Sequence, residues 1–358
     1  MTSPPPRPRI GVLFGGRSAE HDVSVLSATN VLRALDPLRY EPVPIFVTRD
    51  GRWLLAGFDG TTPTTPQDGA EVCLVPGGRG RALALARDGT TADLPDLDLL
   101  FPVLHGPHGE DGAVQGVASV ARVALVGCGI AGSALALDKD LAKRMLNEAG
   151  LATARSLTIL PGAAPPFAEI EAGLGLPLFI KPARQGSSVG VSKVSNEADY
   201  EGALAEGFRH DDKLLVEAFV QGREIECSVL EEPAGRLFIS RPGEIVPADS
   251  HGFYSYEAKY LDEHGAALAV PATLPQGVED HVREVAGRAF RALGCDGMAR
   301  VDVFVTEDMQ VLVNEVNTIP GFTDISMYPR AMAASGIGYA DLIDRLVAHG
   351  LARAARDR

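Results

Sequence analysis

The sequence predicts an open α/β layer over its first third, followed by a longer α+β portion. Three observations carry that expectation. Short apolar runs of strand length recur, several of them ending at glycine or proline. Over residues 9–127 they alternate with helix-compatible or Gly/Pro-rich stretches. From about residue 222 a second α+β segment runs to a basic, Ala-rich C-terminal helix.

RIGVLFGG (9–16) reads as a buried strand ending in two glycines, and HDVSVLSATNVLRAL then spaces Val25, Ala28, Leu32 and Leu35 as one helix face. EPVPIFV (41–47), DLLFPVLHG (98–106) and ARVALVG (121–127) repeat the strand pattern, and DGTTPTTPQDG (59–69) reads as loop. DKDLAKRMLNEAG (138–150) predicts a helix with Asp138 as N-cap and Gly150 as its stop. LPLFIKP (176–182) and KLLVEAFV (213–220) are strands flanking a Gly/Ser loop. No repeat or low-complexity linker separates these parts, so the domains are expected to pack closely.

Composition narrows the function. With 358 residues, 46% hydrophobic and 22% charged, the chain can bury a sizeable core. Its net charge of -14 and lack of a Lys/Arg block argue against a nucleic-acid or membrane partner. Cys73, Cys128, Cys227 and Cys295 are widely spaced and read as reduced cytosolic thiols. MTSPPPRPRI lacks the apolar core of a signal peptide, and no run is long enough to span a bilayer.

Several motifs could carry chemistry. Gly127-Cys-Gly129-Ile-Ala-Gly132 matches G-x-G-x-x-G, but the residue twenty positions on, Glu148, sits in a helical pattern instead of closing a second strand. The motif therefore reads as a tight connecting turn. In KPARQGSSVGVSK (181–193) the lysine precedes the glycines, which is not the P-loop order. Main-chain N–H groups around Gly186, Ser187, Ser188 and Gly190 could wrap an anion; a hairpin tip is the alternative. Lys139 stands in the first turn of its helix, where the macrodipole disfavours a cation, and an anionic ligand or simple solvent exposure would account for it.

MARVDVFV (298–305) and QVLVNEVN (310–317) are alternating strands joined by a short turn. Arg300 shares a face with Asp302, and Glu315 with Asn317, each pair about 6.6 Å apart along its strand. Two carboxylates and an amide oxygen are hard ligands suited to Mg²⁺; a solvated sheet face is the alternative. Glu20 sits at a strand-to-helix turn, as ligand contact or capping acid. LHGPHGEDG (104–112) reads as a loop held by polar contacts, with metal ligation by His105, His108, Glu110 and Asp111 as the alternative.

In chain order, GGRSAEHDVS, HGPHGEDG, ALDKDLAK, KPARQGSSVGVSKV, LVEAFVQGREIECSVL, FYSYEAKY, GMARVDVF and NEVNTIPGFTDISMYP resemble the D-alanine:D-alanine ligases of the ATP-grasp superfamily, over most of the chain. The resemblance implies an open α/β pre-ATP-grasp domain (1–137) and a two-part ATP-grasp fold, with a central subdomain (138–217) and a C-terminal domain (218–358). ATP would lie between the last two. Lys139 and Lys181 would meet its phosphates, Gly186, Ser188 and Val189 would close over them, and Lys259 would approach from a loop at 246–262. Glu217, Ala218 and Val220 would hold adenine through main-chain groups, and Glu224 the ribose. Asp302, Glu315 and Asn317 would bind two Mg²⁺, with Mn²⁺ able to substitute.

By the same resemblance, Glu20, Ser187 and Tyr260 would hold the first of two D-alanines and Ser326 the carboxylate of the second. Arg300 and the Gly321 N–H would meet the oxyanion. The implied reaction passes through D-alanyl phosphate to D-alanyl-D-alanine for peptidoglycan, in a cytoplasmic homodimer. D-lactate or D-serine as second substrate, or a non-catalytic nucleotide-binding role, are the alternatives. Tyr260 favours the dipeptide. Ala218, where relatives often have lysine, removes a side-chain contact to adenine, and the added length around 56–92 is expected to form surface loops.

Overall fold

In the computed structural model of the chain, residues 7–247 and 266–356 are described. Lys259 and Tyr260 lie outside them. The first apolar run becomes β1 (Arg9–Gly15), and Gly15 and Gly16, both at φ +93°, turn the chain into α1 (His21–Ala34). Only glycine fits at 15: a methyl group there would sit 2.4 Å from the Val47 carbonyl oxygen.

β2 (Glu41–Val47) and β3 (Trp53–Leu55) follow, then β4 (Glu71–Leu74), β5 (Ala82–Leu85), β6 (Thr91–Leu94) and β7 (Leu99–Pro102). After α2 (Ala113–Ala121), β8 (Ala124–Leu125) completes an eight-stranded sheet in the order β6, β5, β4, β3, β2, β1, β7, β8. Its β2-β1-β7-β8 part is parallel and β3 to β6 extend it antiparallel. The surface loops expected around 56–92 are therefore only partly there. Residues 71–94 make a meander because EVCL, ALAL and TADL are strand-length runs punctuated by glycines, Gly77, Gly80 and Gly89 all having positive φ. The strand expected over 121–127 contracts to β8, since Arg122 is left-handed and caps α2 through its N–H.

α3 (Ile130–Leu137) and α4 (Lys139–Glu148) come next. Asp138 caps α4 by accepting from the Leu141 N–H at 3.2 Å, and Gly150 ends the segment at φ +69°. β9 (Ser156–Ile159), α5 (Phe167–Leu174), β10 (Leu178–Pro182), β11 (Ser192–Val194), α6 (Glu197–Gly207) and β12 (Leu214–Ala218) form a second, antiparallel sheet in the order β11, β10, β12, β9. Both of its helices bury apolar faces on it.

The third sheet contains β13 (Gly222–Glu231), β14 (Leu237–Ile239), β15 (Gly243–Pro247) and β16 (Ala266–Ala269). After α7 (Gln276–Ala292), it gains β17 (Met298–Thr306) and β18 (Val311–Asn317). α8 (Met327–Ala334) and α9 (Tyr339–Arg356) close the described chain. Phe322, Tyr328, Met332 and Leu346 share one apolar core with Ile10, Val12, Leu32 and Phe101. The end of the chain is thus packed against its beginning.

The G-x-G-x-x-G motif packs on the turn between α7 and β17. The Gly129 N–H faces Asp296 Oδ2 at 3.3 Å, and a methyl at Gly132 would lie 2.5 Å from the Gly294 carbonyl oxygen. Gly132→Ala should lower unfolding free energy by about 1–3 kcal/mol through this overlap. Gly116→Ala, in α2 with open space around it, should be neutral or stabilising. Denaturant titration of both variants checks the pair, and equal midpoints would contradict this packing role.

Candidate active site

β13, β17 and β18 pair so that Glu226, Asp302 and Glu315 form one cross-strand row, and Ser228, Arg300 and Asn317 the next. The two rows share a face because their members are two residues apart along each strand. Arg300 spans them. Its Nε and Nη2 donate to the two Asp302 oxygens at 2.8 and 2.7 Å, and Nε lies 3.0 Å from Glu226 Oε2. Burial would lower the guanidinium pKa, but Asp302, Glu226 and Glu315 together hold it well above its usual value. Asn317 Nδ2 donates to Asp302 Oδ2 at 2.9 Å. A register shift between Asp302 and Val303 brings Val303 opposite Val313, so the bulge lies beside the acidic row.

Lys139 reaches this row from the start of α4, its Nζ 3.7 Å from Glu315 Oε2 and donating to the Gln185 carbonyl at 2.6 Å. The lysine thereby links the acidic strands to the Gly/Ser loop. In that loop Ser187 and Ser188 are both left-handed, at φ +51° and +59°, and Gly190 is at +70°. Two successive non-glycine residues in this region carry strain that the surroundings must offset. Glu20 faces the loop: a methyl built on Gly186 would be 3.6 Å from its Oε2. Although Glu20 stands at the N-cap of α1, its side chain makes no capping bond, so the capping alternative is not realised. Glu20, Arg17, His108, Gly186, Ser187 and Val189 line a cleft of about 270 Å³.

Lys181 lies in another part of the site. Its Nζ is 2.7 Å from Glu217 Oε1, while Lys143 Nζ is 2.7 Å from Oε2 and donates to the Ala154 carbonyl. Burial would raise the Glu217 pKa, but the two ammonium groups more than offset it and leave the carboxylate below its usual range. Burial pushes Lys143 down, against the pull of Glu217. The Ala218 and Phe219 N–H groups donate to the Arg155 and Pro177 carbonyls. Glu224 lies on β13 opposite Phe304, and Val220 just beyond β12. Sequence reading missed Lys143, whose signal was its place one turn after Lys139 on α4.

The segment after β18 is held from the first third of the chain. Glu110 accepts from the Ile319 N–H at 3.1 Å and the Gly106 N–H at 2.7 Å, and His105 Nδ1 donates to the Ile319 carbonyl at 3.0 Å. Burial pushes the Glu110 carboxyl up to about 6, with His105 pulling the other way. Asp111 accepts from the His108 and Ala113 N–H groups at 2.8 and 2.9 Å, so LHGPHGEDG is held by polar contacts of its own and by those to Ile319. Beyond Pro320, Gly321 packs on Ser326, leaving only 2.6 Å between a built methyl and Ser326 Oγ. That hydroxyl accepts from the Thr323 N–H at 3.0 Å.

The geometry thus joins Glu20, Ser187, Lys139, Glu315, Asp302, Asn317 and Arg300 into one chain of neighbours, and Lys181 with Glu217 into a second. Comparison with known proteins identifies the family. The family profiles described as "D-ala D-ala ligase N-terminus" and "D-ala D-ala ligase C-terminus" match residues 9–128 and 145–348. D-alanine–D-alanine ligase A from Brucella suis biovar 1 (strain 1330) is 64% identical over 345 residues, covering 96% of this chain and 98% of the relative. Among solved structures, the D-alanine-D-alanine ligase from Coxiella burnetii matches at a TM-score of 0.84 and 33% identity, covering 98% of this chain and 96% of that one. The VanG D-Ala:D-Ser ligase from Enterococcus faecalis matches at 0.83 and 34%, covering 96% and 99%. With both profiles matched and identity this high over nearly its whole length, the chain belongs to the D-alanine–D-alanine ligase family, and its fold is that family's ATP-grasp fold.

Proposed function

We propose that this protein ligates two D-alanines to D-alanyl-D-alanine at the expense of ATP, releasing ADP and phosphate, to supply peptidoglycan synthesis. The observation that carries the reading is the meeting of Arg300, Asp302, Glu315 and Asn317 beside Lys139, within reach of the Gly/Ser loop and Glu20. It implies work in the cytoplasm, where ATP is available. Among the described residues, no helix is long and apolar enough to cross a membrane. The reading keeps a division into 1–137, 138–217 and 218–358, with ATP between the last two.

The donor set fits Mg²⁺. Two carboxylates stand directly opposite each other on paired strands with an amide beside them, hard oxygen donors of the kind Mg²⁺ takes. In this reading Asp302, Glu315 and Asn317 hold two Mg²⁺. When bound, the metal would neutralise the phosphate oxygens that three protein ligands leave to substrate.

The residues then divide the work. Lys139 and Lys181 bind phosphates, with Lys259 beside the transferring group, while Gly186, Ser188 and Val189 supply the N–H groups of the closing loop. Glu217, Ala218 and Val220 hold adenine, largely through main-chain groups, and Glu224 takes the ribose hydroxyls. Glu20 pairs with the ammonium of the first D-alanine, supported by Ser187 and Tyr260, which aims the carboxylate at the γ-phosphorus. That carboxylate oxygen bonds to phosphorus as the bond to ADP breaks, giving D-alanyl phosphate. Ser326 holds the carboxylate of the second D-alanine, whose amine adds to the acyl carbon. The oxyanion meets the Gly321 N–H and Arg300, whose plane Asp302 and Glu226 fix. Collapse expels phosphate and leaves the peptide bond.

With ATP, Mg²⁺ and an equimolar mixture of D-alanine, D-serine and D-lactate, mass spectrometry should find D-alanyl-D-alanine as the main product. A mixed depsipeptide or D-alanyl-D-serine in excess would overturn the substrate assignment. Glu315→Gln should reduce phosphate release by at least about 100-fold with an unchanged thermal transition. Turnover within a few-fold of wild type would remove Glu315 from the site.

A further inference from the structure

We propose that Asn30, assisted by Ser27 one turn earlier on α1, is a positioning residue for the Gly321–Ser326 segment and through it for the second D-alanine. The inference rests on the functional reading above. Phe322 is the fixed point of that segment: its ring is fully buried and meets Phe101, Tyr328 and Tyr339 edge-on. Ring packing locates the side chain but leaves the peptide planes on either side to be oriented by hydrogen bonds.

Those bonds come largely from α1. The Phe322 N–H donates to Ser27 Oγ at 3.1 Å, and the Phe322 carbonyl accepts from Asn30 Nδ2 at 3.2 Å and from the Tyr339 hydroxyl at 2.8 Å. Asn30 Nδ2 also donates to Asp324 Oδ1 at 3.0 Å. One amide nitrogen, with two hydrogens, thus ties two points on opposite sides of Thr323. Thr323 in turn contacts Ser326 Oγ through its N–H at 3.0 Å and its hydroxyl at 2.8 Å. The line from Asn30 to Ser326 is continuous.

α1 also begins beside Glu20, to which the reading assigns the first D-alanine. A helix rises about 1.5 Å per residue, so the ten residues from Glu20 to Asn30 make a stiff spacer of about 15 Å. One element then references both amino-acid subsites: Glu20 directly and Ser326 through the loop. An asparagine inside a helix costs some propensity, which this tertiary contact offsets.

The test uses the full-length enzyme with Asn30→Ala and Asn30→Asp. Asn30 is half-buried, so both variants should fold, and the aspartate keeps the size while losing the donor and turning a carboxylate toward Asp324. Steady-state kinetics resolve KM for each D-alanine and for ATP; hydroxylamine replacing the second amine reports D-alanyl phosphate formation alone. Loss of this contact should raise the second D-alanine KM about tenfold, more in Asn30→Asp. The other two KM values and the hydroxamate rate should stay within about twofold. A parallel rise of all three constants, or an unchanged second KM in both variants, would overturn the proposal alone. A wild-type enzyme that formed no dipeptide would overturn the functional reading with it.

Discussion

The site is organised by a row of three carboxylates, Glu226, Asp302 and Glu315, set side by side across three paired strands. Neighbouring side chains in such a row are about 5 Å apart, where two unit charges at a protein-like dielectric repel by about 3 kcal/mol. Arg300 offsets part of it by pairing with Asp302 and Glu226, and Lys139 approaches Glu315 from another element. The carboxylate oxygens of this row, with the Asn317 amide oxygen beside them, are the hard donors that a divalent cation carrying phosphate would take.

The second constraint is mechanical. Ile319 is held by Glu110 and His105, and Phe322 by Ser27, Asn30 and Tyr339, so Pro320 and Gly321 hang between two anchored peptides. Four of those five side chains come from the first third of the chain. The segment that follows the acidic strand is therefore oriented by the α/β layer, against which α8 and α9 also pack.

Much of this was legible beforehand. β1, β2, β17 and β18 fall within a residue or so of the runs that announced them, and Asp138 caps α4 as its place before the helix suggested. The sharing of a face by Arg300 and Asp302 followed from period two alone. Partners brought in from other elements did not show. Glu226 joins the acidic row by strand pairing, Lys143 meets Glu217 across separate elements, and Asn30 meets Phe322 nearly three hundred residues away. The 71–94 meander was missed because four-residue strands carry too little alternation to stand out from loop.

The most direct test of the acidic row as a metal–nucleotide site is anomalous diffraction from crystals grown with Mn²⁺ and ADP. The account predicts Mn²⁺ peaks within coordination distance of Asp302, Glu315 and Asn317, bridging to the diphosphate. Bound ADP with no anomalous density at these three residues would contradict it.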